Sequence, residues 1–288
     1  MNLKYFFWNS KQFQALELQG TVLGFNLYSA GHLIWLAVII ISAILTSSWY
    51  CGERTLKKRK DAFLRSNAVD VPAGMRIPDL KKRRRGLRKF FAVMLFLMEV
   101  SRDTELILTG YFSAEYLPLH LCSYAIIAMA VDAFAENEKV TAVTGQLLAY
   151  AFMPGAISAL LFCNWSEYPF LNFMNIHSFL FHGWIVVYVV MRLRAGEIRP
   201  DYAGLWKTVL MILLLAPPVF CFNREFGTNF MFLNEASEGS PLVPIWELLG
   251  TRFGYPGYLT GCALLVIVVF HILWLVYFLL RKGMDRKV

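Results

Sequence analysis

Long apolar segments recur along this chain, and they constrain its fold more than any other feature. A helix that crosses a bilayer needs roughly 20 mostly apolar residues. Five segments meet that requirement clearly: 27–50, 140–163, 174–193, 203–222 and 257–280. Over the whole chain, 57% of the residues are apolar and 17% are charged, whereas soluble domains carry about 25% charged residues. The sequence therefore predicts a polytopic membrane protein and argues against a soluble enzyme, a disordered chain or a disulfide scaffold.

Two further segments are weaker candidates for membrane helices. Segment 117–135 is shorter but apolar enough to be included. Segment 89–112 has strongly apolar flanks, yet it carries four charged side chains: Glu99, Arg102, Asp103 and Glu105. With both segments included, we predict an all-α fold of seven transmembrane helices. No alternation typical of strands and no internal repeat stands out.

The distribution of Lys and Arg predicts the orientation in the membrane. These residues are concentrated in the loop 51–88, and cytoplasmic loops of membrane proteins carry an excess of them. The N-terminal segment 1–26 is then extracytoplasmic, the membrane domain covers 27–280 with a long outer loop at 223–256, and the tail 281–288 is cytoplasmic. The net charge of +8 is thus first a signal of topology. We also expect the basic loop to attract anionic membrane lipids, and we expect no nucleic-acid partner.

Ionisable and thiol side chains gather in the outer half of the predicted membrane domain. Four of the five histidines lie there together with Cys122: His32, His120, His177 and His182. Ionisable groups inside spans usually face the bundle interior or a wet cavity. A thiol beside an imidazole is a nucleophile–base pair, although a cysteine within the membrane is more often a small packing residue. At about 1.5 Å per residue, Cys122 is expected some five residues inside the third helix.

The charged part of segment 89–112 has two interpretations. Glu99 stands three residues before Arg102 and four before Asp103, so two of these side chains share a helix face. One interpretation is an ion-pair network inside the bundle. The other is a polar lining for a lipid headgroup or an ion path, and the sequence leaves both open.

Four short motifs occur in order along the chain. They are Gly31–His32, PLHLC at 118–122 followed by Ser123, the stretch from Tyr168-Pro169 to Phe179-Leu180-Phe181-His182-Gly183, and GTNFMFL at 227–233. Together they resemble the bacterial YwaF-like integral membrane proteins from about residue 25 to residue 280, which implies a multi-pass protein of the bacterial cell membrane. Eukaryotic relatives of that group include a transmembrane acyltransferase that remodels ether phospholipids. The wider superfamily includes the androgen-induced and androgen-dependent lipid hydrolases.

The resemblance implies a catalytic role for a cysteine and a later histidine. By motif match these are Cys122 and His182, with His177 as the second candidate for the base. The implied reaction transfers an acyl chain between phospholipid and lysophospholipid through a thioester, or to water in hydrolysis. Asn229 or His120 is the expected donor to the oxyanion. No cofactor and no resident metal are implied.

Other residues complete the set that the resemblance and the predicted depths indicate. His32 and Glu99 are expected to contact substrate. Phe230 stands where the family usually has Tyr, so any hydrogen bond made by that hydroxyl is absent here.

Two other functions compete with acyl transfer. A metal-dependent lipid hydrolase would use the outer histidines and Cys122 as zinc ligands, although no closely spaced histidine motif is present. A non-enzymatic transporter or seven-helix binding subunit would line its path with the charged helix and with helices that contain proline.

Overall fold

The computed structural model describes residues 5–8, 12–13, 15, 24–52, 77–237 and 239–285. Most of the predicted N-terminal segment 1–26 lies outside the described residues. The same holds for positions 53–76 of the basic loop and 286–288 of the tail.

Helices account for the architecture. Their bounds are α1 Ala30–Tyr50, α2 Ile77–Leu108, α3 Leu121–Phe134, α4 Glu138–Leu147, α5 Met153–Leu161, α6 Phe173–Ala195, α7 Tyr202–Phe226, α8 Val243–Ile245 and α9 Thr251–Asp285. A π-helical turn at Leu148–Phe152 joins α4 to α5, and another at Trp246–Gly250 joins α8 to α9. From Ala30 onward, the described residues therefore form seven helical rods and contain no strand, which confirms the predicted all-α class.

Five of the rods are long and apolar enough to cross a membrane: α1, α4–α5, α6, α7 and α8–α9. The other two correspond to the segments that were weakest in the sequence. Helix α3 is apolar but has only 14 residues. Helix α2 has 32 residues and begins at Ile77 rather than at 89, because Lys and Arg are good helix formers and extend it into the basic segment.

Helix α3 begins later than the sequence suggested. Leu117 has an extended backbone (ψ 146°), as expected for a residue that precedes a proline, here Pro118. His120 is the N-cap, and the helix starts at Leu121. Cys122 therefore lies in the first turn of α3, not five residues inside it.

Helix α6 carries two of the histidines, and its ends are firmly fixed. The Asn172 side chain caps it by accepting hydrogen bonds from the backbone N–H groups of Met174 (2.8 Å) and Asn175 (3.4 Å). The Asn172 amide group also donates to backbone carbonyls of the N-terminal segment, at Tyr5, Phe6 and Trp8. At the other end, Gly196 takes the left-handed conformation (φ 72°) that commonly ends a helix.

Helices α1 and α6 pack tightly against each other at Gly183. A Cβ added there would lie 2.8 Å from Ile39 Cγ1 and 3.0 Å from its Cδ1. Helices in membranes associate mainly through such close packing of small residues. The position thus sets the spacing of α1 from the helix that bears His177 and His182.

Replacing Gly183 with alanine is expected to destabilise the protein by about 1–3 kcal/mol, because overpacking forces Ile39 to move. Thermal unfolding in detergent measures the effect. Gly86→Ala is the matched control, since a Cβ there meets nothing within 4 Å. The Ile39→Ala change should cost less in the Gly183→Ala background than alone. Equal unfolding midpoints for the two glycine variants would contradict the steric argument.

Buried charges tie the helices together at the end of the bundle where α1 and α6 finish, which we call the basic end. Asp132 on α3 is fully buried and forms an ion pair with Arg192 on α6. The same carboxylate accepts hydrogen bonds from the hydroxyls of Tyr188 and of Thr144 on α4, the latter at 3.1 Å. Three helices therefore meet on one carboxylate.

The network continues from Arg192 to Glu197, which follows α6 and lies 3.1 Å from the Arg192 guanidinium. The Tyr50 hydroxyl at the end of α1 donates to Glu197 at 2.7 Å, and Arg84 on α2 pairs with it at 3.2 Å. Five helices are thus linked through buried or half-buried polar groups. The charge pattern of the sequence does not predict this network.

Candidate functional site

Three histidines from two helices meet near the other end of the bundle. His120 caps α3, while His177 and His182 lie on α6. His182 is close enough to interact electrostatically with the other two, and Arg102 on α2 interacts with His120 and His177. We call His120, His177 and His182 the histidine cluster.

His182 is held in one orientation by its neighbours. Its Nδ1–H donates to the Ser178 carbonyl at 2.7 Å, since a carbonyl oxygen can only accept. The ring stacks on Trp165 with centroids 5.1 Å apart and an interplanar angle of 10°. In the neutral imidazole, Nε2 then carries the free lone pair. The arrangement leaves His182 one nitrogen that can accept a proton.

His177 has the opposite assignment. Its Nε2–H donates to the Met98 carbonyl of α2 at 3.2 Å, which leaves Nδ1 as the free acceptor. The ring stacks on Phe181 at 5.6 Å and only 7% of the residue is exposed. His182 retains more accessible surface than His177.

His120 faces the connection between α7 and α8. Its Nδ1 accepts a hydrogen bond from the Met231 backbone N–H at 3.3 Å, so the neutral ring carries its proton on Nε2. Phe230 and Phe232 pack against the ring, with centroids 5.0 and 5.7 Å away. The Nε2–H group has no partner among the described residues, and His120 is therefore a free hydrogen-bond donor.

The turn that holds His120 is built on Asn223, a residue that the sequence analysis missed. Asn223 is fully buried near the end of α7; it accepts from the Phe230 N–H and the Thr228 hydroxyl and donates to the Phe230 carbonyl, each at 2.9 Å. Met231 and Phe232 both have positive φ values, 56° and 54°. Non-glycine residues rarely adopt this conformation, and such strained residues cluster at active sites and ligand-binding regions.

Asn229 does not face the cluster as a free donor. Its side-chain oxygen accepts from the backbone N–H groups of Asn234 (3.1 Å) and Glu235 (3.3 Å), and its amide donates to the Glu235 carbonyl at 3.1 Å. These bonds shape the loop itself. Phe230, at the position where the resembling family has Tyr, is 1% exposed and packs on His120.

Cys122 is half-buried in the first turn of α3. Its sulfur faces α5, where a Cβ added to Gly155 would lie 3.8 Å from it. Among the described residues no hydrogen bond reaches the sulfur, and none joins it to His182. His182 is likewise half-buried.

The charged residues of α2 form ion pairs. The Arg102 guanidinium lies 2.8 Å from carboxylate oxygens of both Glu99 and Asp103, and it donates to the Tyr116 carbonyl at 2.8 Å. The second oxygen of Glu99 and one oxygen of Glu105 are buried without a hydrogen-bond partner in the described structure. The ion-pair network is thus present, and it leaves one oxygen of each of these two glutamates unpaired in the described structure.

His32 lies apart from the cluster and both of its nitrogens are occupied. Nδ1 accepts from the Tyr28 N–H at 2.9 Å, and Nε2–H donates to the Leu160 carbonyl at 2.7 Å. The residue is fully buried. In this structure it links α1 to α5.

Within the described ranges, no group of three or more His, Cys, Asp or Glu side chains is arranged to hold a metal ion. Each member of the histidine cluster instead forms its own hydrogen bond to a backbone group.

Comparison with known proteins gives a match to the model of the TMEM164 family, which covers residues 27–274. No curated protein and no solved structure matches. The matched range includes every residue of the histidine cluster, Cys122 and the turn built on Asn223.

Proposed function

Because the chain belongs to the TMEM164 family, a transmembrane family, we propose that it is a seven-pass membrane acyltransferase that uses Cys122 as nucleophile and His182 as base. The proposal places it in the bacterial cell membrane, with the N-terminus outside and the C-terminus in the cytoplasm. Its substrates are phospholipid as acyl donor and lysophospholipid as acceptor. The concentration of Lys and Arg near the basic end supports this orientation.

One observation carries the proposal: Cys122 and His182 are both half-buried near His120, and neither the thiol nor the His182 Nε2 has a hydrogen-bond partner among the described residues. His182 Nε2 is free because Nδ1–H is bound to Ser178. Cys122 is two residues after His120, which interacts electrostatically with His182. A histidine that only links two helices has both ring nitrogens occupied. His32 is an example, because its Nε2–H donates to the Leu160 carbonyl and its Nδ1 accepts from the Tyr28 N–H.

The first half of the cycle makes the thioester. His182 Nε2 takes the Cys122 thiol proton, and the thiolate attacks the ester carbonyl of the phospholipid. A carbon–sulfur bond forms and the ester carbon–oxygen bond breaks. The leaving lysophospholipid oxygen takes the proton back from the imidazolium.

The second half reverses these steps with a new acceptor. His182 removes the proton from the hydroxyl of an incoming lysophospholipid, and the oxygen attacks the thioester. The carbon–oxygen bond forms, the carbon–sulfur bond breaks, and Cys122 regains the proton. Of the two expected oxyanion donors, His120 is favoured, because its Nε2–H is free whereas Asn229 is held within its loop.

The thioester itself can be detected. Purified protein incubated with a phospholipid labelled in its acyl chain is expected to gain a hydroxylamine-sensitive acyl adduct on Cys122, because the acyl-enzyme precedes transfer. Intact-protein and peptide mass spectrometry measure the adduct. Cys221→Ala, which changes an exposed cysteine of α7, should keep it, and Cys122→Ala should lose it.

The result that would reject the proposal is equally specific. An adduct that survives in Cys122→Ala would exclude this thiol as nucleophile. Absence of both adduct and lipid turnover, over several headgroups, would remove the support for an enzyme and favour the transporter or binding subunit.

A further inference from the structure

A groove separate from the histidine cluster opens between α1, α2 and α6. Its volume is about 470 Å³ and its walls are almost entirely apolar. The wall on α6 is formed by Leu180, Gly183, Trp184 and Val187. Because these residues are spaced three or four residues apart, they form one stripe along the helix. The groove therefore runs along the helix axes.

All three walls run towards the basic end. The α1 wall ends at Trp49, the last groove residue on that helix. On α2, Arg83 stands four residues before Leu87, which lines the groove. On α6, Arg194 stands seven residues after Val187, two turns further along the same face. Each helix therefore carries a cationic or aromatic side chain where its apolar wall ends: Trp49 on α1, Arg83 on α2 and Arg194 on α6.

Within the described residues, the two arginines there differ from their neighbours in having no acidic partner. The Arg83 guanidinium lies over the Trp49 ring, 4.1 Å from its centroid, and donates to the Trp49 carbonyl at 2.7 Å. Arg194 donates to the hydroxyls of Ser47 and Ser48. Neither forms an ion pair within the described part of the chain, whereas Arg84, Arg85 and Arg192 do. The mouth of the groove is therefore positively charged.

We infer that this groove holds one acyl chain of an anionic phospholipid, with the headgroup phosphate bound by Arg83 and Arg194. The apolar walls match a hydrocarbon chain, and guanidinium groups are well suited to phosphate. Trp184 adds a polar feature inside the groove, because its indole N–H is buried without a hydrogen-bond partner. The lipid enters from the leaflet at the basic end. This site does not depend on the proposed acyl transfer.

The binding preference of the intact protein tests the inference. Full-length protein is placed in phosphatidylcholine nanodiscs that contain a minor fraction of phosphatidylglycerol, and the lipids retained after release are counted by native mass spectrometry. Each of Arg83→Gln and Arg194→Gln is expected to reduce the preference for phosphatidylglycerol about fivefold, and the double variant more. Wild-type preference in the double variant would overturn the inference.

Arg85→Gln is the matched charge control on the same helix. Arg85 is exposed and its hydrogen bond to Glu136 holds the pKa of that carboxyl below its usual range, so its charge is already compensated. The preference should be unchanged in this variant. An equal loss in Arg85→Gln would show diffuse attraction to the basic surface rather than a defined site.

A second pair of variants tests the groove by shape. Ser42→Phe places a ring into the groove from an exposed α1 position and should reduce the retained phosphatidylglycerol. Ile41→Phe is also exposed but lies outside the groove lining, and should have no effect. Cys122→Ala should retain the lipid as wild type does, which separates failure of this site from failure of the catalytic proposal.

Discussion

Replacing His182 with glutamine is expected to slow acyl transfer by roughly 10⁴-fold, because the thiol then has no base to take its proton. Glutamine can still donate a hydrogen bond to the Ser178 carbonyl, as Nδ1–H does in the wild type at 2.7 Å. The fold should therefore survive while the free Nε2 lone pair is lost. The single-turnover rate of Cys122 acylation, measured with labelled phospholipid, isolates this step from product release.

His177→Gln is the informative comparison, since both histidines lie on α6 and both bond a backbone carbonyl. His177 is more deeply buried and stacks on Phe181, so its replacement is expected to affect stability more than the acylation rate. The opposite result, with acylation lost in His177→Gln and kept in His182→Gln, would transfer the role of base to His177.

The connection between α7 and α8 offers a further reason to separate these roles. His120 is oriented by a turn in which Met231 and Phe232 have positive φ, and that turn is held by the buried side chain of Asn223. An oxyanion donor must point at the charge that develops in the transition state. Through the Met231 N–H, this turn binds Nδ1 of the His120 ring and fixes its orientation. The Nε2–H of His120 is then available as a donor.

Apolar length and the clustering of charge could be read from the sequence because both are local properties. The all-α class followed from them, and the structure has an apolar or charged rod for each of the seven predicted segments. The start of α3 was misplaced, although Pro118 was a readable signal that Leu117 would be extended. That error moved Cys122 by about one helical turn.

Contacts between residues on different helices could not be predicted from the sequence in this way. His32 is held by its hydrogen bond to the Leu160 carbonyl, and Asn229 by hydrogen bonds to the backbone of its own loop. Asp132 and Arg192 meet although 60 residues separate them. Such pairings depend on how the helices are rotated and stacked, which hydropathy does not encode. For this reason the sequence placed the histidines at one end but did not show which nitrogens would be free.

The second large effect is expected on stability, from breaking the Asp132–Arg192 ion pair at the basic end. Arg192→Met is expected to lower the free energy of unfolding by about 3–5 kcal/mol, because it leaves the fully buried Asp132 carboxylate without its cation. The hydroxyls of Tyr188 and Thr144 remain as donors, but they do not balance the charge. Unfolding of the purified protein in detergent, followed by circular dichroism against temperature or denaturant, measures the loss.

The double variant Asp132→Asn, Arg192→Met decides whether the charges themselves are coupled. Removing both leaves no uncompensated carboxylate, so the double variant should be more stable than Arg192→Met alone. Arg199→Met is the control, since Arg199 is on the same side of the bundle and donates only to the Gly196 carbonyl among the described residues. Simple additivity of the two single changes would contradict a direct interaction between the charges. A large coupling energy would instead mean that the Asp132 and Arg192 charges stabilise the packing of α3 against α6 through each other.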